Sequence, residues 1–280
     1  IGEMAVRSLL DEPKIWPRFG LVGPHDQGSH IDMSYSLLRE SALSLLPFFR
    51  QSATLGILYH PSDSVDQVFC RLQLLGIEAE KTMFKSTRGV NTHKGAIFLM
   101  GLLVFAGACV LKNRKKALKS SLHQIKDIIK VSCFVANNYV KKDLIRIDAN
   151  PATTYGEWGI KKHRWLGIRG FFLDQGSVLH NALAWYYHSS YLSHDERLEY
   201  LRLFFLVYTQ DTNLLKRVGY YNLLSLRAYA GKILTQTYGL KRMEQVKKLE
   251  DQMLARKMSA AAAGDLMIAL IFLLNLGGGR

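Results

Sequence analysis

Along most of the chain apolar residues recur every three or four positions, the spacing of a helix buried on one side, and few stretches alternate as a half-buried strand would. This period predicts helices over 34–54, interrupted at Pro47, and over 63–86, 95–111, 114–140, 177–192, 195–209, 212–237, 241–257 and 259–275. All six prolines lie at or before Pro151, so nothing of that kind breaks the C-terminal helices. The polar, glycine-rich stretches 18–33, 86–94 and 148–176 read as the main irregular segments. No repeat and no linker divides the chain, and the expectation is an all-α fold of one multi-helix domain spanning 1–280. Gly95–Leu111 and Leu266–Gly279 are uncharged for 17 and 14 residues. Both fall short of the roughly 20 that span a bilayer, so they read as buried core helices and not as membrane spans.

Helix 63–86 shows how the period assigns chemistry. Val65, Val68, Phe69, Leu72, Leu75, Gly76, Ala79 and Met83 form one apolar stripe. At about 100° per residue, Glu80 falls about 60° from the centre of that stripe and Glu78 about 140° away. Glu78 shares its outer face with Arg71, Lys81 and Lys85, where a solvated ion pair suffices. Glu80 lies at the edge of the buried face, where a carboxylate must be paired, bound to metal or tuned for function.

The formal charge of +14 comes from 37 Lys and Arg against 23 Asp and Glu. Residues 1–110 hold ten of each sign, so the whole excess lies beyond them. That balance points to polyanionic partners or to a solvated basic surface. Cys70, Cys109 and Cys133 are an odd number without CxxC spacing, which indicates neither a disulfide framework nor a thiolate zinc site and fits a cytoplasmic protein. The first residues lack the apolar run and cleavage site of a secretory signal.

Four segments can carry chemistry. Gly89-Val90-Asn91-Thr92-His93-Lys94-Gly95 runs into an uncharged helix. Asn91 or Thr92 can cap that helix, and its free N–H groups with Lys94 make an anion site, with His93 as donor or proton carrier. An ordinary capped helix start explains the same spacing. Gly28-Ser29-His30-Ile31-Asp32-Met33 sets His30 and Asp32 two apart, a pair able to ligate a metal or to move a proton, or simply a surface loop. Asp211-Thr212-Asn213 followed by Arg217 is a capped helix start, or a set of metal and ribose ligands with an arginine on phosphate. Gly167-Ile168-Arg169-Gly170 places an arginine between glycines that allow close approach to phosphate. There is no GxxxxGK[ST], GxGxxG, HExxH or GxSxG. A nucleotide site here would use none of the common phosphate loops, and no nucleic-acid reading motif accompanies the basic part.

Together with Gly20-Leu21-Val22, Gly76-Ile77-Glu78-Ala79-Glu80, Gly156-Glu157 and Asp265-Leu266, these segments resemble the triphosphoribosyl-dephospho-coenzyme A synthase family, in order, from about residue 10 to 275. The resemblance implies an all-helical cytoplasmic enzyme joining the triphosphoribosyl part of ATP to the 2′-hydroxyl of 3′-dephospho-CoA, with release of adenine. The product is the precursor of the prosthetic group of the acyl carrier subunit of citrate lyase or malonate decarboxylase, attached by a separate transferase. The roles implied are Glu80 as catalytic carboxylate with Asp32 as competitor, and His30 or His93 assisting adenine. Asn91, Thr92, Lys94, Glu157, Arg169, Asn213, Arg217 and Asp265 would bind substrate, and Mg2+ would sit on Asp32, Glu80 or Asp211. Several loops depart from the pattern: Pro17-Arg18-Phe19-Gly20-Leu21-Val22-Gly23-Pro24 lacks an acid and an arginine, Gly170-Phe171-Phe172-Leu173-Asp174 and Ser259-Ala260-Ala261-Ala262 differ, and Val218 replaces a glycine. The alternative expectation is therefore a relative that binds nucleotide or a partner with altered or lost catalysis.

Overall fold

The computed structural model describes residues 1–112, 121–236 and 239–278, and every regular element within them is helical. In chain order these are α1 (Gly2–Asp11), a 3-10 turn (Glu12–Lys14), α2 (Tyr35–Ser44), α3 (Leu46–Leu58), α4 (Val65–Ser86), α5 (Lys94–Leu111), α6 (Ser121–Ala149), α7 (Tyr155–His163), α8 (Ile168–Leu173), α9 (Ser177–His188), α10 (His194–Tyr208), α11 (Thr212–Val218), α12 (Tyr220–Gln236), α13 (Gly239–Ala255) and α14 (Ala261–Leu276).

The all-α expectation holds, with three refinements. Pro47 stands in the first turn of α3, where its missing N–H costs nothing, and the chain breaks at Leu45 just before it. The stretch expected as one helix over 212–237 is two, because Gly219 at φ +76° ends α11 and turns the chain into α12. Residues 148–176 are not irregular throughout: Thr154 and Glu157 form a capping box that starts α7, and α8 follows. Helix α1 was outside the expected set. The first residues of the helix expected over 114–140, with Arg114-Lys115-Lys116, lie outside the described residues.

The uncharged segments are core helices. α5 is buried almost continuously from Ala96 to Ala108, and α14 from Ala263 to Leu274. By length and composition α5 could cross a membrane, yet 67% of it is buried inside the protein. The two helices pack on each other, with α3, α4 and α6 around α5 and α1 and α10 against α14. Each fully buried Leu, Ile or Phe on them contributes about 1.5–3 kcal/mol by leaving water. Tight packing of this pair fixes where their first turns end, and those turns meet at one cavity.

Candidate active site

The loop between the 3-10 turn and α2 is fastened from beneath by the buried Glu250 of α13. Its carboxylate accepts hydrogen bonds from Trp16 Nε1 at 2.7 Å, the Arg18 amide at 2.6 Å and the Phe19 amide at 3.2 Å. Gly20 then crosses Met258 at φ +80°, where a Cβ would stand 1.8 Å from the Met258 carbonyl oxygen, so only glycine fits. Within this departed loop Arg18 pairs with Asp26 and its side chain fills the space beside Gly23. The Ala260 amide donates to the Phe19 carbonyl at 3.1 Å and Ser29 Oγ to the Met258 carbonyl, which ties the loop to the start of α14. His30 is thereby set with Nε2 2.8 Å from Ser259 Oγ. Burial and then the nearby Arg217 guanidinium lower its pKa, while Asp32 opposes them.

The second loop leads from α4 into α5. The N-cap of α5 is His93, not Asn91 or Thr92 as expected, and it makes no side-chain cap; Asn91 Oδ1, two residues earlier, accepts from the Lys94 amide at 3.3 Å. Thr92 Oγ1 lies 2.6 Å from Ser41 Oγ instead, and His93 Nδ1 lies 2.8 Å from the same hydroxyl. His93 is buried, and burial takes its pKa down to about 4. At neutral pH the ring is uncharged, and its contact with Ser41 anchors α5 to α2. Lys94 Nζ lies 2.8 Å from Glu80 Oε2, so the carboxylate at the edge of the α4 stripe has a partner. Glu78 pairs with Lys81 at 2.7 Å on the outer face, as its angle foretold.

Asp211 is a cap. Its Oδ1 accepts from the Asn213 and Leu214 amides at 2.8 and 2.9 Å, and its Oδ2 from the Ala262 amide at 2.8 Å, which joins the start of α11 to that of α14. Asn213 Nδ2 donates to the Ser259 carbonyl at 3.0 Å. Arg217 is exposed and clasps the backbone carbonyls of Lys257 and Ser29 beside His30.

These elements enclose a cavity of about 330 Å³ at the first turns of α5 and α14. His30, Asn91, Thr92, His93, Lys94, Asn213 and Asp265 all line it, so seven of the residues marked in sequence meet there. Asp265 rests against Gly95, where a Cβ would stand 2.0 Å from its Oδ2; α5 and α14 can approach this closely only through that glycine. The Asp265 carboxyl has no hydrogen bond or ion pair among the described residues. Loss of water, then the carboxylates of Asp211 and Glu12, push its pKa well above the usual carboxylate range.

Other expected residues lie elsewhere. Asp32 is exposed at the rim, 3.8 Å from His30 Nδ1. Glu80 lines a neighbouring cavity. Glu157 and Arg169 belong to a separate network: Arg169 Nε lies 2.7 Å from Asp143 Oδ2, and Arg146 Nη2 bridges Asp143 and Glu157 at 2.9 and 2.7 Å. Arg146 first, then the Thr153 hydrogen bonds, hold Glu157 at a pKa of about 2. The expected Mg2+ set does not assemble. Asp211 spends both oxygens on backbone amides, Glu80 holds Lys94 and Asp32 points outward, and no three His, Cys, Asp or Glu side chains among the described residues are grouped to hold a metal.

One wall was missed in the sequence. Glu12 lines the cavity, and the fully buried Arg202 of α10 pairs with its carboxylate and donates to its carbonyl oxygen at 3.0 Å. The two are 190 residues apart, and neither sits in a recognisable motif.

The fold and this cavity define the class: an all-helical protein with a polar, small-molecule-sized site where two core helices begin. The chain matches the family model of ATP:dephospho-CoA triphosphoribosyl transferase over residues 1–280 and belongs to that family. It is 30% identical to the probable 2-(5''-triphosphoribosyl)-3'-dephosphocoenzyme-A synthase of Streptococcus mutans, covering 97% of this chain and 94% of that one. The corresponding synthase of Haemophilus ducreyi is also 30% identical, over 99% of this chain and 88% of its own length. Protein CitXG of Haemophilus influenzae is 30% identical over 99% of this chain, which spans 60% of that protein. No solved structure matches the chain.

Proposed function

We propose that this protein joins the triphosphoribosyl part of ATP to the ribose 2′-hydroxyl of 3′-dephospho-CoA and releases adenine. The observation that carries the reading is the convergence of Lys94, His30, Asn213 and Asp265 in one cavity, with burial favouring the protonated form of Asp265 and Glu80 held at the cavity's edge by Lys94. Transfer breaks the bond from the ribose anomeric carbon to adenine and forms one to the acceptor oxygen, through a transition state that carries positive charge on the sugar. Asp265 gives its proton to the departing adenine, and Glu80 takes the proton of the attacking hydroxyl. Lys94 supplies a cation for the phosphates, with the excess positive charge of the chain favouring two polyanionic substrates.

In this reading the product is the precursor of the prosthetic group on the acyl carrier subunit of citrate lyase or malonate decarboxylase, attached there by a separate transferase. The three free cysteines suit the reducing cytoplasm in which that chemistry is placed. Purified protein given ATP and dephospho-CoA is expected to release one adenine per coupled product. Release of ADP or phosphate would overturn the reading, and tight nucleotide binding without adenine would favour the non-catalytic relative.

A further inference from the structure

Beside the polar cavity lies a second one, of about 180 Å³, walled by α4 and α5 with Phe48 of α3 and Tyr139 of α6. Its lining is mainly apolar, with Phe48, Phe69, Leu72, Ile97 and Phe98 among the contributors. Three polar side chains break that lining: Glu80 at one end, and Gln73 and Tyr139, whose Nε2 and hydroxyl are hydrogen-bonded at 2.9 Å. The Lys94–Glu80 ion pair stands between the cavities, Lys94 on the wall of the first and Glu80 on the wall of the second. Burial first, then the Asp143 carboxylate, raise the Tyr139 pKa, against the Arg169 and Arg146 guanidiniums that pair with Asp143. Glu80, which the polar cavity does not absorb, thus belongs to this one.

A glycine keeps part of this space open. Gly76 lies inside the 22-residue helix α4, where glycine costs roughly 1 kcal/mol relative to alanine. It lines the cavity, and a Cβ on it would meet nothing nearer than Ile97 Cγ2 at 4.0 Å. Helix packing does not demand glycine here.

The two substrates of the proposed reaction share an adenosine and a chain of phosphates. What distinguishes the acceptor is its pantetheine arm, a slender, uncharged chain of methylenes and two amides. A site that must seat dephospho-CoA as acceptor, and not a second ATP, needs a place for that arm and for nothing charged. We infer that the cavity between α4, α5 and α6 seats the pantetheine arm of dephospho-CoA. Its apolar walls take the methylenes, and Gln73 and Tyr139 offer hydrogen bonds to the amides. Lys94, on the wall shared with the polar cavity, stands beside the end where the pyrophosphate that precedes the arm would lie. This placement rests on the proposed reaction and brings the acceptor to Glu80, the group assigned to its hydroxyl proton.

The test is equilibrium binding without turnover, by titration calorimetry, of dephospho-CoA and of ADP, which lacks the arm. Gly76→Leu fills the cavity and is expected to weaken dephospho-CoA by about tenfold or more, the loss of about two buried methylenes, and to leave ADP unchanged. Gly76→Ala adds one methyl in ordinary contact, keeps the fold by its higher helix propensity, and is expected to shift dephospho-CoA in the same sense by a smaller factor. Unchanged dephospho-CoA binding in both variants overturns the inference, and so does an equal loss for ADP, which would place the nucleotide in the cavity. Because no catalysis enters the measurement, a protein that released no adenine would refute the proposed reaction and still leave this contrast readable.

Discussion

His93 offers a quantitative test of how the polar cavity is built, through the substitution His93→Asn. The ring is buried with Nδ1 2.8 Å from the Ser41 hydroxyl, and an asparagine amide reaches the same place and keeps that contact. Burial lowers the pKa from 6.5 to about 4. Between those two pH values the unfolded chain binds a proton at this residue and the folded protein does not, so lowering the pH favours unfolding. At about 1.4 kcal/mol per pH unit the whole window amounts to about 3 kcal/mol, a large part of the roughly 5–15 kcal/mol that holds a domain together. Urea unfolding of both proteins from pH 7.5 to 4.5 isolates this contribution, since other titrating groups cancel in the difference. Wild-type stability is expected to fall relative to His93→Asn by most of that amount as the pH drops. A difference constant across the range would refute the burial argument, and a change of opposite sign would mean that the folded ring is charged. Adenine release should stay within a few-fold of wild type at pH 7.5, whereas loss of a proton-transfer group costs about 10²–10⁴-fold.

The remaining predictions follow the same logic. Asp265→Asn should lower adenine release by about 10²–10⁴-fold. Because the folded carboxyl keeps a proton that the unfolded chain loses, the variant should also gain stability over wild type as the pH rises above the ordinary carboxylate range, measured by urea unfolding. Glu80→Gln should reduce turnover with little change in ATP affinity; near-normal turnover in a steady-state assay would move the acceptor base elsewhere. Arg202→Met leaves the Glu12 carboxylate without its buried partner and should cost about 3–5 kcal/mol in a denaturant titration, with the double variant Arg202→Met/Glu12→Gln recovering part of it.

Long helices were legible because each repeats its period several times, and the uncharged runs over α5 and α14 announced the core. α1 and α8 escaped because ten and six residues hold too few turns for a period to stand out. The split at Gly219 is a matter of one residue whose positive φ no pattern reveals. In the site, the Asn91 to Gly95 segment was legible because asparagine, lysine and helix are contiguous. The Asp211 cap was legible for the same reason. That Arg169 and Glu157 pair with Asp143 and Arg146 is written only in the packing of α6, α7 and α8. Glu12 needed Arg202 from the far side of the chain, a pairing written in tertiary structure alone.

Helix α14, the last described element, carries a consequence for how the protein comes to be made. It supplies Asp265 and Gly264 to the cavity and covers α5, yet it leaves the ribosome after every other described helix. Until it arrives, α5 has one apolar flank with no cover, the kind of surface on which nascent chains associate. Activity and protection from aggregation are therefore acquired in the same late event, and a chain shortened before residue 261 would lack both.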